Sequence, residues 1–210
     1  MPVEAAQYPV NLILVGERCL VVGGGPVAAR KIDGLLACRA RVHVIAETVG
    51  PEVRARAVPL EERRYRRGDV VGFRLVFAAT DDSGVNHTIY EDARAAGVWV
   101  NTADDPAACT VTLPSVVRRG PIMVTVSTGG YSPALATWLR AHVEEELGPE
   151  YEVLLDLLSE ARNDMKAAGR STEEGDWRSS LDSDMLDLIR AGQVERAKER
   201  LRAWLSSSSD

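Results

Sequence analysis

The sequence lacks both a long apolar run and a recognisable secretory signal. No apolar stretch in its 210 residues approaches the roughly 18 residues that a membrane-spanning helix needs. The first residues, Met1-Pro2-Val3-Glu4, have no cationic stretch followed by an apolar one, which is the pattern typical of a cleaved leader. With 45% hydrophobic and 27% charged residues, the composition is that of an ordinary globular protein. We therefore expect a cytoplasmic protein with no membrane partner.

Cysteine and histidine are scarce and scattered. Three of each occur, at Cys19, Cys38 and Cys109 and at His43, His87 and His142. An odd number of widely spaced cysteines predicts neither a disulfide framework nor a zinc site, so we expect reduced thiols in or near the core. The histidines fall in separate predicted elements, and we therefore expect no metal site built from protein side chains.

An excess of positive charge is also absent. The chain has 25 lysines and arginines against 31 acidic residues, and its net charge of −6 argues against a general affinity for nucleic acid. Neither a P-loop nor a G-x-S-x-G nucleophile elbow occurs. Arginines cluster locally at Arg63, Arg64, Arg66 and Arg67 and at Arg118 and Arg119. Each cluster is either a solvated face or a contact for a polyanionic substrate.

A glycine-rich turn within residues 21–31 is the feature around which the chain is organised. Gly23, Gly25 and Ala28 fill the pattern G-x-G-x-x-A. In that pattern the first glycine permits a tight turn, the second lets a pyrophosphate approach bare backbone, and the small third residue lets the helix pack on its strand. Pro26 suits the first turn of a helix, whose free N–H groups and dipole favour phosphate. The turn therefore predicts a dinucleotide site.

The segments beside this turn fit such a site. Residues 18–22 and 41–46 are predicted strands, and residues 26–37 are a predicted helix. Glu47 follows the second strand, about where the fingerprint places the acid that binds a ribose 2′-hydroxyl. Because a carboxylate there would repel a 2′-phosphate, Glu47 favours NAD over NADP. The alternative interpretation of Glu47 is a solvated loop residue.

Two further predicted strands, residues 75–79 and 98–100, end in polar residues. These are Thr80 and Asp81 after the first strand and Asn101, Asp104 and Asp105 after the second. In an open parallel sheet the ligand lies beyond the carboxyl ends of the strands, so these residues should border the cofactor. Thr80 and Asp81 have an alternative role in capping the next helix. Asp105 precedes a proline and shapes the turn, whereas Asp104 is either catalytic or a turn residue.

The second half of the chain changes from strands to helices. Residues 110–114 and 122–127 predict two more strands, and Ser132 with Pro133 predicts the start of a helix that runs to Leu147. Beyond it only helical spacing occurs. We therefore expect an α/β fold in which a Rossmann-like, doubly wound sheet precedes a small helical domain.

Several motifs occur together and in a fixed order along the chain. They are residues 8–31 with the glycine turn, residues 78–82 with Asn86, residues 101–106 and residues 127–133. Together they resemble the precorrin-2 dehydrogenases of siroheme synthesis, including the nucleotide-binding half of the fused siroheme synthases and the stand-alone dehydrogenase/ferrochelatases. The resemblance covers essentially residues 8–145, with a looser helical match beyond.

The resemblance implies oxidation of precorrin-2 to sirohydrochlorin by NAD and, in some members, insertion of ferrous iron, a lyase reaction that gives siroheme. It implies a homodimer built largely through the segment after Leu113, with the tetrapyrrole between that segment and the nucleotide domain. We therefore expect an NAD-binding domain over residues 1–113, a dimerisation segment over residues 114–148 and a helical domain over residues 149–210.

Site residues follow from the fingerprint and the resemblance together. The cofactor set is Gly23, Gly24, Gly25, Pro26, Val27, Glu47, Thr48, Thr80, Asp81 and Asn101. Asp104 falls on the family's catalytic aspartate. Precorrin-2 carries many carboxylates, which arginines bind well. The substrate set is Arg118, Arg119, Arg140, Thr128 and Gly129.

Two positions depart from the family pattern. Thr128 stands where some relatives have serine, which keeps a hydroxyl, and Thr137 stands where some have arginine, which removes one carboxylate partner. Two other functions stay open, a non-catalytic NAD-sensing module that regulates a partner and an oxidoreductase with another small substrate. In the sensing module, Asp104 and the turn at residues 128–130 would have no purpose.

Overall fold

The computed structural model describes residues 6–103, 105–173, 177–181 and 184–207. The chain divides into two compact units. The first contains Met1–Pro114 and Ser127–Pro133, and the second contains Ser115–Val126 and Ala134–Asp210. No helix among the described ranges is long and apolar enough to cross a membrane.

The first unit is built mainly from alternating strands and helices. Its elements are β1 (Arg18–Val22), α1 (Pro26–Ala37), β2 (Arg41–Ala46), α2 (Pro51–Arg54), β3 (Leu60–Glu62), β4 (Leu75–Ala78), α3 (Ser83–Ala95), β5 (Trp99–Thr102) and a 3-10 turn (Pro106–Ala108). The five strands form one parallel sheet in the order β3-β2-β1-β4-β5. This arrangement confirms the predicted Rossmann-like fold class.

Both faces of this sheet are covered, which explains the apolar runs of its central strands. Cys19 and Val21 of β1 pack into a cluster with α1, whereas Leu20 and Val22 pack into a second cluster with α3. Ile32 of α1 is fully buried in the first cluster. Sheets of this kind are parallel because the crossover helices occupy their faces. The doubly wound layering follows from this strand pattern.

The cysteines are unpaired thiols, as the sequence predicts. Cys19 is buried, and Cys38 and Cys109 are partly buried. Burial raises the pKa of the Cys19 thiol to about 11. The thiol therefore stays protonated near neutral pH and behaves as a small core side chain.

The second unit consists of a hairpin and a group of helices. Its elements are β6 (Ser115–Arg119), β7 (Ile122–Val126), α4 (Pro133–Glu146, apart from its first residue), α5 (Glu150–Ala167), α6 (Trp177–Leu181), α7 (Met185–Arg190) and α8 (Val194–Ser207). The hairpin is antiparallel, and its turn contains Gly120 with φ of 51°. Helices α5, α7 and α8 enclose an apolar cluster that includes Leu157, Met185 and Leu201. Each fully buried side chain of this size contributes about 1.5–3 kcal/mol.

One predicted strand is absent. Residues 110–114 form no strand, although their β-branched and apolar residues resemble one. The N–H groups of Thr110 and Val111 donate to the carbonyl of Val100, and the Thr110 hydroxyl accepts from the Val100 N–H at 2.8 Å. A side chain therefore takes a backbone position along the edge of β5, and a regular ladder does not form.

Candidate functional site

The carboxyl ends of the parallel strands meet at one edge of the first unit. Val22 pairs with Ile45 on one side and with Ala78 on the other, and Ala78 pairs in turn with Thr102. The segments that follow these strands therefore lie side by side. The strand order changes direction between β1 and β4, and such a switch point is where open α/β sheets bind their ligands.

Two glycines of the turn are required by the fold. A Cβ atom on Gly23 would lie 2.2 Å from the carbonyl oxygen of Ala79, and Gly23 has φ of 137°. A Cβ atom on Gly24 would lie 1.9 Å from the carbonyl oxygen of Thr48. No side chain fits at these distances, so the backbone turn is possible only with glycine at both positions.

Gly25 has no such internal reason to be glycine. Its backbone is extended, with φ of −95° and ψ of −173°, and a Cβ atom there would meet nothing within 4 Å. The residue is the N-cap of α1 and offers no side chain to cap the first turn, and Pro26 follows it. Bare backbone at an open helix N-terminus suits an anionic group. The local structure therefore fits the pyrophosphate of a dinucleotide, with Val27 in the same turn.

Glu47 directly follows β2 and is exposed. Its carboxylate oxygen Oε2 accepts a hydrogen bond from Nε of Arg64 at 3.0 Å. Thr48 is also exposed, and its carbonyl lies against Gly24 as described above. The structure thus brings Glu47 and Thr48 to the edge that carries the glycine turn, and it gives Glu47 a cationic partner that the sequence pattern did not reveal.

Thr80 follows β4 and is fixed by Asn86 of α3. The Thr80 N–H and hydroxyl both donate to Oδ1 of Asn86, at 3.2 and 2.8 Å, and the Asn86 amide donates to the Thr80 carbonyl. Asp82, rather than Asp81, caps α3 by accepting from the N–H groups of Gly84 and Val85. Asp81 is exposed and does not act as the cap. Asn86, which sequence reasoning left without a role, orients this segment.

The loop after β5 is braced by the buried side chains of Asn101 and Thr102 and by the partly buried Cys109. Asn101 donates its amide to the Val111 carbonyl at 3.0 Å, and Thr102 donates its hydroxyl to the Ala108 carbonyl at 2.6 Å. The Cys109 thiol donates to the Asp105 carbonyl at 3.3 Å, and its sulfur accepts from the Thr102 N–H at 3.2 Å. Burial raises the pKa of this thiol, which favours its donor form. Asn101 therefore lies at the predicted edge but directs its amide into the loop.

The predicted catalytic residue Asp104 lies outside the described residues. Its neighbour Asp105 caps the 3-10 turn by accepting from the Ala107 N–H at 3.1 Å, which confirms the turn-forming role predicted for it. Of the two adjacent carboxylates, Asp105 is therefore committed to local structure.

The Thr128 turn belongs to the first unit and is closed on itself. The Thr128 hydroxyl donates to the Ser132 carbonyl at 3.0 Å and accepts from the Ser132 N–H at 3.2 Å. Gly129 and Gly130 have φ of 62° and 83°, which glycine adopts at little cost. The hydroxyl at position 128 thus shapes the turn.

The predicted substrate arginines lie in the second unit and differ in their surroundings. Arg119 donates to the carbonyls of Leu147 and Glu144 at 2.7 and 3.2 Å, so it satisfies the C-terminal end of α4. Arg140 pairs with the Glu144 carboxylate. Arg118 is exposed and forms no ion pair within the described ranges. Arg118 is therefore the most available of the three for a carboxylate of a substrate.

No group of three or more potential metal-ligating side chains occurs among the residues that the structure describes. The chemistry at the sheet edge is that of a nucleotide site. Sequence reasoning missed the contributions of Arg64 and Cys109. Arg64 lies 17 positions from its partner Glu47, and the Cys109 thiol bonds to backbone groups rather than to a side chain. Neither contact therefore produces a recognisable local sequence pattern.

Curated relatives support the resemblance noted in the sequence. The chain is 38% identical over 206 residues to the siroheme synthase of Nitrosococcus oceani, covering 95% of this chain and 44% of that protein. It is 36% identical to the siroheme synthase of Thioalkalivibrio sulfidiphilus over 209 residues, covering 97% of this chain and 43% of that protein. The chain thus spans less than half the length of these relatives.

Among solved structures, the chain is similar to SirC, a precorrin-2 dehydrogenase. The TM-score is 0.67 at 25% sequence identity, and the match covers 96% of this chain and 98% of that one. The predicted resemblance is therefore confirmed. A family model described as "Putative NAD(P)-binding" matches residues 10–115, just over half of the chain and the part that contains the parallel sheet. This chain belongs to that NAD(P)-binding family.

Proposed function

We propose that this chain oxidises precorrin-2 to sirohydrochlorin with a nicotinamide dinucleotide. The observation that carries the proposal is a glycine turn at the carboxyl end of a parallel sheet, in a chain that matches a precorrin-2 dehydrogenase structure over 96% of its length. The fold itself does not require glycine at position 25, because a side chain there would meet open space. A bound nucleotide gives this glycine its purpose.

NAD is the proposed cofactor, in preference to NADP. Glu47 lies at the end of β2, where an acid accepts hydrogen bonds from the ribose hydroxyls. Its exposed carboxylate opposes a second anion at the 2′-position, and like charges a few ångströms apart cost at least about 1–2 kcal/mol. The preference is tested by comparing the dissociation constants of NADH and NADPH, and equal values would contradict it.

Asp104 is the proposed general base. The nicotinamide supplies the acceptor for a hydride from the substrate, and the reaction also releases a proton that a base must take. In the sequence, Asp104 falls between β5, which ends at Thr102, and the 3-10 turn, which begins at Pro106. Since Asp105 is used as a cap, Asp104 is the carboxylate we assign to proton transfer.

The substrate's carboxylates are proposed to bind arginine. Arg118 is exposed, whereas Arg119 and Arg140 share the Glu144 carboxylate. We assign the direct contact to Arg118 and a supporting role to the other two. We also assign Thr128 and Gly129 to substrate binding. Their contribution is the shape of the turn, which the Thr128 hydroxyl closes.

The domain boundaries and the homodimer predicted from the sequence are part of the proposal. Residues 114–148 include Val116, Leu135 and Trp138, whose exposed fractions are 36%, 48% and 62%. Contiguous exposed apolar side chains mark association surfaces, and Leu135 and Trp138 lie one helical turn apart on α4. A second copy of this segment is the proposed partner, and sedimentation that shows concentration-independent monomers would contradict it.

Activity is tested by mixing the purified protein with precorrin-2 and NAD and following the tetrapyrrole absorbance and NADH formation together. Coupled changes in both signals are expected. NAD binding without turnover would favour the NAD-sensing module, and turnover only with other small substrates would favour a different oxidoreductase. Insertion of ferrous iron into sirohydrochlorin is measured separately, because some similar enzymes add that step and others do not.

A further inference from the structure

Arg64 follows β3 and contacts Glu47, the residue that follows β2. Strands β2 and β3 are parallel neighbours, and Ala46 pairs with Glu62 at their carboxyl ends. Glu47 and Arg64 therefore emerge at the same edge, and the Glu47 carboxylate and the Arg64 Nε are 3.0 Å apart. This contact is formed by the acid that we assign to the ribose.

Arg64 differs from the other ion-paired members of its cluster. Arg63 donates to both carboxylate oxygens of Asp69, at 2.6 and 3.0 Å, and to Glu61. Arg67 pairs with Asp92 and Glu91 on α3. These side chains fix the loop between β3 and β4.

Within the part of the chain that the structure describes, Arg64 forms one ion pair, and its side chain is 82% exposed. An exposed pair of this kind is worth little, about 0–1 kcal/mol, and can exchange partners readily. Its guanidinium can therefore turn from the carboxylate toward a nearby anion at small cost.

We propose that Arg64 sets the balance between NAD and NADP at this site, an inference that rests on the proposed nicotinamide function. With Glu47 in place, Arg64 offsets part of the carboxylate's repulsion of a 2′-phosphate. Without the Glu47 carboxylate, Arg64 binds that phosphate. The residue is a specificity determinant in both cases, because it contacts the carboxylate that we assign to the ribose 2′-position, where the two cofactors differ.

Two consequences separate this role from a purely structural one. Removing Arg64 alone leaves Glu47 uncompensated, so NADPH binding weakens while NADH binding changes little. Replacing Glu47 by glutamine releases Arg64 and strengthens NADPH binding, since a charge-assisted contact to phosphate is worth about tenfold or more in affinity. That gain requires Arg64 and is lost in the double variant.

The experiment measures dissociation constants of NADH and NADPH by nicotinamide fluorescence for wild type, R64A, E47Q and the E47Q/R64A double variant. Measurements at low and moderate salt are included because exposed charges are screened by salt. R66A is the matched control, since it removes the same charge from an exposed position in the same loop that has no contact with Glu47. Thermal melting verifies that each variant is folded.

We expect R64A to raise the NADPH constant by about threefold or more relative to NADH, and R66A to shift both constants by the same factor. We expect E47Q to lower the NADPH constant by about tenfold and the double variant to lose most of that gain. Equal gains in E47Q and the double variant would overturn the inference and leave the nicotinamide site intact. Failure of folded wild-type protein to bind either nucleotide would overturn the proposed function together with the inference.

Discussion

Gly25 offers the sharpest test of the nucleotide site, because its substitution should separate folding from binding. A Cβ atom added to Gly25 meets no atom within 4 Å, and its extended backbone suits alanine. We therefore expect Gly25→Ala to change the free energy of unfolding by no more than about 0.5–1 kcal/mol, in either direction. The new methyl group would occupy the space that we assign to the pyrophosphate.

The effect on binding follows from the contacts that the methyl group prevents. A hydrogen bond from a backbone N–H to a charged phosphate contributes about 1.5–3 kcal/mol, and loss of one corresponds to a roughly 10- to 100-fold lower affinity. Dissociation constants for NAD and NADH, measured by calorimetry or nicotinamide fluorescence, test this expectation. Melting temperatures measured on the same samples test folding.

Gly24→Ala is the matched control. The added Cβ atom would lie 1.9 Å from the Thr48 carbonyl oxygen and 2.9 Å from its carbon, so backbone must move. We expect a loss of more than about 4 kcal/mol and a large fall in melting temperature. A Gly25→Ala protein that melts like the wild type and binds nucleotide equally well would refute the placement of the pyrophosphate over this turn.

Four further predictions concern catalysis, substrate binding and stability. Asp104→Asn should lower precorrin-2 turnover by roughly 10²–10⁴-fold with nucleotide affinity nearly intact, and unchanged turnover would exclude a general-base role. Arg118→Ala should raise KM for precorrin-2 without changing the melting temperature, whereas Arg119→Ala should lower the melting temperature because carbonyls of α4 lose their donor. Ala57→Gly should raise stability by up to about 1 kcal/mol, since Ala57 has φ of 51°, and an unchanged or lower melting temperature would contradict this. Hydrogen bonds from its own backbone N–H and from Arg190 lower the pKa of the Glu150 carboxyl. The ionised carboxylate should therefore stabilise the fold above about pH 4.3, and this stabilisation should be lost as the pH falls. Acid unfolding of Glu150→Gln, compared with that of the wild type, tests this expectation.

Much of the sheet was predictable from the sequence because its signals are local. β1, α1 and β2 begin and end where the apolar runs and the glycine turn predict. A strand buried on both faces requires a continuous apolar run, and a helix that packs on it requires apolar residues at helical spacing. Because these requirements involve residues that are close together in the chain, they can be recognised in the sequence alone.

Strand pairing, in contrast, depends on contacts between segments that are separated in the sequence. Residues 110–114 illustrate this dependence. Their composition satisfies the local requirements of a strand, but the edge of β5 is occupied by the Thr110 hydroxyl. Whether a segment forms a ladder depends on the partner it meets, and strand propensity reports only how a side chain suits a pleated surface. The prediction was wrong because the deciding contact joins residues ten positions apart.

The candidate site also combines features that local sequence determines with contacts between distant residues. This difference affects which variants are informative. The glycine turn and the strand ends could be read from the sequence, because each places a residue type where backbone geometry demands it. The sequence did not reveal which polar side chains are already used: Asn101 donates to the loop after β5, Arg119 to the end of α4 and Arg64 to Glu47. A polar group engaged inside the protein loses that contact when it is removed, so its substitution changes stability as well as binding. Kinetic effects of variants at Asn101 and Arg119 therefore carry information about the reaction only when they are compared at equal folded fraction.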